Sequence, residues 1–109
     1  MFRNTALVAA TFVLLLSPLA SAQSVDQGKT VYADQKCSIC HSVAGTGNKK
    51  GPLDKVGAKL SADEIRSWIV DAPAMAAKTK ADRKPPMKAY SNLAKADVDS
   101  LVAYLQSLK

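Results

Sequence analysis

Apolar residues recur three or four positions apart near the C-terminus, at Val98, Leu101, Val102, Leu105 and Leu108. That is the period of one buried face of an α-helix. Lys109 at its end complements the helix dipole. Leu60, Ile65, Trp68 and Ile69 share the period, in a stretch that opens on Ser61 and Glu64 at the spacing of a capping box and stops before Pro73. A third stretch runs through Val25, Gly28, Val31 and Tyr32; Ser24 and Gln27, again at capping-box spacing, predict its start, and it ends near Gln35. Gly28 inside that helix costs about 1 kcal/mol relative to alanine, so it is either incidental or the place where another helix crosses closely. Between residues 42 and 59 fall Gly45, Gly47, Asn48, Gly51, Pro52 and Gly57, which predict a loop. An alanine-rich piece around Met75 and a charged run from Lys78 to Lys84 lead to Pro85-Pro86-Met87, where the paired prolines fix an extended backbone. No run alternates as a half-buried strand does, and no internal repeat appears, so the pattern predicts an all-α fold.

The first residues follow a different pattern. Arg3 lies in a short polar start, the chain is apolar from Ala6 to Leu16, Pro18 breaks it, and Ala20-Ser21-Ala22 supplies small residues. This reads as a secretory signal peptide over residues 1–22, cleaved after Ala22. The run is shorter than the roughly 20 apolar residues of a spanning helix and is followed by a helix-breaking proline. Residues 23–109 are then one exported, soluble domain with no membrane span, placed in a bacterial periplasm. A domain of that size buries too little of its own surface to be comfortable, and such chains recruit disulfides, metals or a cofactor.

The two cysteines and the one histidine of the chain fall within five residues, Cys37-Ser38-Ile39-Cys40-His41. This is the C-x-x-C-H pattern of covalent haem attachment. Two thiols at that spacing reach the two vinyl groups of one haem and add to them as thioethers, and the next side chain, His41, is carried beneath the iron to fill an axial position. Competing chemistries fit less well. A structural zinc needs four ligands, and no further Cys or His exists to complete the set. A thioredoxin-like dithiol belongs with a βαβ pattern that is absent. A disulfide between residues this close closes a tiny loop and stabilises little.

With that motif in place, residues 23–109 resemble the class I cytochromes c over nearly their full length. The resemblance implies a small cytochrome c fold, with N- and C-terminal helices crossing around one covalently bound haem c. It implies that Gly28 and Tyr32 face Tyr104 and Leu105, which supports the close crossing. Gly51-Pro52-Leu53 is similar to the family's Gly-Pro-x-L segment, and by that similarity the Pro52 carbonyl accepts the hydrogen bond from the non-ligating nitrogen of His41 and orients it. Trp68 has two readings: a core residue, or an indole donating to a haem propionate as in several members. Two positions depart from the family pattern. Ala94 stands where Ser or Thr usually caps the last helix, and Lys88 follows the ligand methionine where proline is common.

For the second axial ligand the mature chain offers Met75 and Met87. Met75 sits among alanines just after Pro73, where a flexible apolar side chain fills a core gap. Met87 follows two prolines whose fixed torsions limit the freedom lost on binding iron, and family members place their ligand methionine in such a loop. We therefore expect His41 and Met87 on the metal. A soft thioether saturates the iron and raises its potential, which makes an electron carrier and not an enzyme. The same sequence could serve an electron-entry subunit of a larger oxidoreductase, and an open axial position would instead make a haem-based ligand sensor.

Charge bears on partners. Fifteen Lys and Arg oppose nine Asp and Glu, for a formal net charge of +6. Nucleic acid is excluded as the partner by the export signal and by cations scattered from Lys29 to Lys109 without a basic stripe or interleaved aromatics. Most lysines are a solvated surface. A subset near the cofactor is expected to steer redox protein partners with acidic docking surfaces toward a monomer.

Overall fold

The computed structural model describes residues 10, 11 and 19–109. Most of the segment read as a signal peptide therefore lies outside the described residues. Among the described residues five helices, α1 (Leu19–Asp34), α2 (Val56–Lys59), α3 (Ala62–Val70), α4 (Ala72–Thr79) and α5 (Lys95–Gln106), make the fold mostly α-helical. A 3₁₀ turn at Cys37–Ile39 and a small antiparallel hairpin, β1 (Ser42–Val43) with β2 (Thr46–Gly47), fill the space after α1.

The core forms where α1, α3 and α5 meet. Val31 from α1, Ile65 and Ile69 from α3, and Val98, Leu101, Val102, Tyr104 and Leu105 from α5 are buried together. These are the residues whose 3.6-residue spacing marks the apolar stripes. Gly28 lies at the closest approach of α1 and α5: a Cβ there would fall on the Ser100 carbonyl and 2.5 Å from Tyr104 Cβ. Tyr32, one turn further on, meets Tyr104 edge to face with ring centroids 5.7 Å apart and planes at 79°, a geometry that aromatic quadrupoles favour. The close-crossing reading of Gly28 is what the backbone shows.

Helix α3 begins as its sequence predicts. Ser61 Oγ accepts the Glu64 N–H at 3.1 Å, and Glu64 Oε1 accepts the Ser61 N–H at 3.1 Å. Hydrogen bonding to the Ser61 backbone N–H, and then to the Ser61 side chain, holds the Glu64 carboxyl below its ordinary pKa. Helix α5 starts at Ala94, which makes no side-chain capping bond. Asp99 of α5 accepts from Lys95 at 2.8 Å and from Arg66 of α3 at 2.7 Å, tying the two helices at the surface; hydrogen bonds from Lys95 and then Arg66 hold its carboxyl below the usual range.

Two expectations are corrected, and the alanine-rich piece, given no element above, gains one. Helix α1 begins at Leu19, so Ser24 lies inside it and does not cap its start. The glycine-rich stretch is not wholly irregular: it holds the β1–β2 hairpin and the single turn of α2, elements too short to show any periodicity. The alanine-rich piece is helix α4, with Pro73 in its first turn, where a missing N–H and a fixed φ start a helix as readily as they end one. No helix among the described residues is long and apolar enough to cross a membrane.

Candidate functional site

A cavity of about 590 Å³ opens beside the 3₁₀ turn, within the size range of small-molecule and cofactor sites. Its walls come from every part of the fold. Helix α3 contributes Ile65, Trp68 and Ile69; α5 contributes Leu101 and Leu105; α1 contributes Tyr32; Leu53, Val56 and Leu60 close one side. Cys37, Cys40 and His41 line it together, and Met87 lines it from the segment before α5. Met75 does not.

The turn that presents the cysteines is wound on its own backbone. The N–H groups of Cys40 and His41 both donate to the Cys37 carbonyl, at 3.1 and 2.9 Å. Both cysteines are free and half-buried. Burial pushes the Cys37 thiol up to about 11, with its own backbone hydrogen bond opposing and Cys40 adding a little. At neutral pH it is an uncharged thiol.

His41 Nδ1 lies 3.0 Å from the Gly51 carbonyl oxygen. A carbonyl only accepts, so Nδ1 carries the proton and the lone pair is left on Nε2. Burial holds the His41 pKa below its ordinary value, the Gly51 bond opposes this, and Arg83 adds to the lowering. The ring is therefore neutral at pH 7, the form that binds a metal.

The partner carbonyl is that of Gly51, which corrects the assignment to Pro52. Pro52 forms a parallel bridge with Ser42: Ser42 N–H donates to Gly51 O at 3.1 Å and Leu53 N–H donates to Ser42 O at 2.9 Å. Carbonyls alternate in direction along extended chain, so the bridge turns the Gly51 carbonyl toward His41 and the Pro52 carbonyl away. Pro52 thus sets the register that aims its neighbour. Arg83 also packs at this point: its guanidinium lies where a Gly51 Cβ would be, beside the Cys40 carbonyl.

The Met87 segment is anchored just after the methionine. Tyr90 N–H donates to the Ile69 carbonyl of α3 at 2.8 Å, and Lys88 Nζ sits 4.9 Å from the Tyr90 ring centroid, within cation–π range. The charged residues of the cavity lining are Lys36, Arg83 and Lys88, without an acid among them, and all are exposed. Between the cysteines Ile39 stands 66% exposed.

The residues present fit a haem. The wall is apolar, both thiols and a neutral imidazole reach it, and a thioether enters from a separate segment. The Tyr32 hydroxyl is buried without a partner among the described residues, and desolvation raises its pKa to about 12, so it remains a donor for a polar group brought into the cavity. Sequence reasoning missed Tyr32 and Arg83 as wall residues, and Asn48, which bonds to the backbone of the cysteine turn from just after β2. The glycine-rich setting of Asn48 and an amide side chain able to bond two residues ahead were the available signal.

Comparison with known proteins agrees with this chemistry. Over 93 residues the chain is 29% identical to cytochrome c oxidase subunit 2 of Alkalihalophilus pseudofirmus, an alignment covering 77% of this chain and 25% of that protein. The chain thus spans about a quarter of that relative's length. No solved structure matches it. The Cytochrome c family matches residues 25–109, from the middle of α1 to the last residue and across the whole cavity wall, and the chain belongs to that family.

Proposed function

We propose that this chain is an exported monohaem cytochrome c acting as a one-electron carrier between redox proteins, with haem c on Cys37 and Cys40 and with His41 and Met87 as axial ligands. Family membership implies electron transfer through covalently bound haem c. The observation that carries the finer reading is that one apolar cavity is lined at once by both thiols, His41 and Met87, but not by Met75. Bound there, haem supplies an iron that takes up and releases one electron. His41 offers Nε2 because Gly51 holds the proton on Nδ1. Met87 would bring a soft thioether to the metal, a donor that favours the ferrous state. The apolar wall excludes water, and Trp68 and Tyr32 place an indole and a hydroxyl on it.

Export is supported by the polar start, apolar run and Ala20-Ser21-Ala22 of residues 1–22. Lys36, Arg83 and Lys88 line the cavity together with the exposed Ile39, a set of cations with an apolar side chain that complements an acidic docking surface. The rate of electron exchange with such a partner falls as salt rises. A second reading, an electron-entry subunit held in a larger oxidoreductase, is favoured by the similarity to a protein named as an oxidase subunit. Purification of the mature holoprotein tests both. A monomer that cycles between two oxidation states and does not respond to carbon monoxide is the expected result. A partner retained through purification would favour the subunit, and ready carbon monoxide binding would overturn the carrier reading.

A further inference from the structure

The residue that follows β2 grips most of the C-x-x-C-H turn. Asn48 N–H is shared between the Ser38 carbonyl at 3.0 Å and the His41 carbonyl at 2.9 Å. Its side-chain Nδ2 donates to the Ile39 carbonyl at 3.1 Å. Three carbonyls of the turn thus end on a single residue. On its other side Asn48 Oδ1 accepts the Lys50 N–H at 3.0 Å, and the Asn48 carbonyl accepts the Gly51 N–H at 3.1 Å. Gly51 is the residue whose carbonyl holds His41 Nδ1. The network is therefore closed: from the peptide of His41 through Asn48 to Gly51, and back to the ring of the same His41.

We propose that Asn48 is the positioning residue of the haem histidine, its side-chain amide fixing the turn against the Gly51 peptide so that the His41–Gly51 hydrogen bond is held short and straight. It rests on the haem reading above. A carbonyl that accepts from the non-ligating nitrogen makes an imidazole a stronger donor to its metal, and a stronger donor favours the ferric state. Loosening that bond shifts the equilibrium toward ferrous iron.

Every residue but proline keeps the backbone donor and acceptor of position 48, so the side chain can be tested alone. Asn48→Ala removes both side-chain bonds. Asn48→Ser adds no charge and keeps an acceptor for the Lys50 N–H and the turn that goes with it, but is too short to reach the Ile39 carbonyl. The holoproteins are weighed first by mass spectrometry to establish one haem per chain, then titrated for midpoint potential. Without covalent haem in the wild type, the haem reading itself fails. With haem present, both variants are expected to shift the ferrous-to-ferric ratio at fixed potential by about threefold toward ferrous, roughly 30 mV at 59 mV per tenfold change. Thr46→Ala, in the strand just before it, leaves the potential at the wild-type value. If Asn48→Ala fails to mature, Asn48→Ser decides alone. A wild-type potential in Asn48→Ser would overturn the proposal, because the residue would then serve only to form the loop.

Discussion

Substituting Gly28 by alanine puts two opposed effects of known size at one position. Alanine gains about 1 kcal/mol over glycine in a helix interior. Against that, the added methyl falls on the Ser100 carbonyl and 2.5 Å from Tyr104 Cβ, where carbon atoms rest about 3.5–4.0 Å apart. Neither obstacle can swing aside, since one is main chain of α5 and the other is fixed to it. The helices must separate by roughly 1 Å, and a gap of that order forfeits a quarter to a half of each contact's dispersion energy. The Tyr32–Tyr104 pair one turn away lies in the same interface. Overpacking costs about 1–3 kcal/mol, and a main-chain obstacle places Gly28→Ala at the upper end. The net expectation is a loss of about 2 kcal/mol, which lowers Tm by roughly 8–16 °C in a domain of this size. Thermal unfolding of the mature holoprotein followed by circular dichroism reads it, with exposed Gln27→Ala as the control that receives only the propensity term. If Gly28→Ala were as stable as wild type, or more so, the close approach of α1 and α5 would be wrong.

Two further substitutions probe the ligand loop and the last helix. Met87→Ala should abolish the weak far-red sulfur-to-iron absorption of the ferric protein, lower the potential and open the iron to carbon monoxide, whereas Met75→Ala should only loosen packing; the reverse pattern would move the ligand role to Met75. Ala94→Ser gives α5 the cap it lacks and should add about 1 kcal/mol, seen as a Tm higher by roughly 4–8 °C.

The parts of the fold that could be read from the sequence are those where local chemistry and tertiary packing agree. Ser61 and Glu64 cap α3 as their spacing predicts, and the stripe from Val98 to Leu105 is buried as its period requires. Gly28 was legible because glycine weakens a helix, and within an apolar stripe that cost is offset where a second backbone needs the space of the missing side chain. What escaped depends on register and not on composition. Nothing in Gly51-Pro52 shows which carbonyl faces His41, because that follows from a single bridge between Ser42 and Pro52. The start of α1 escaped because residues 19–23 continue the helix upstream of the capping pair at Ser24 and Gln27. Asn48 escaped because its partners are backbone carbonyls, which every residue supplies alike.

The central claim is that haem is joined to this chain through Cys37 and Cys40, and acid-acetone extraction of the denatured mature protein tests it most directly. Burial keeps both thiols at one apolar wall beside His41, so the account predicts that the haem stays with the protein, with an intact mass equal to the chain plus one haem. Haem extracted into the solvent from properly matured protein, leaving the bare chain with two titratable thiols, would contradict it.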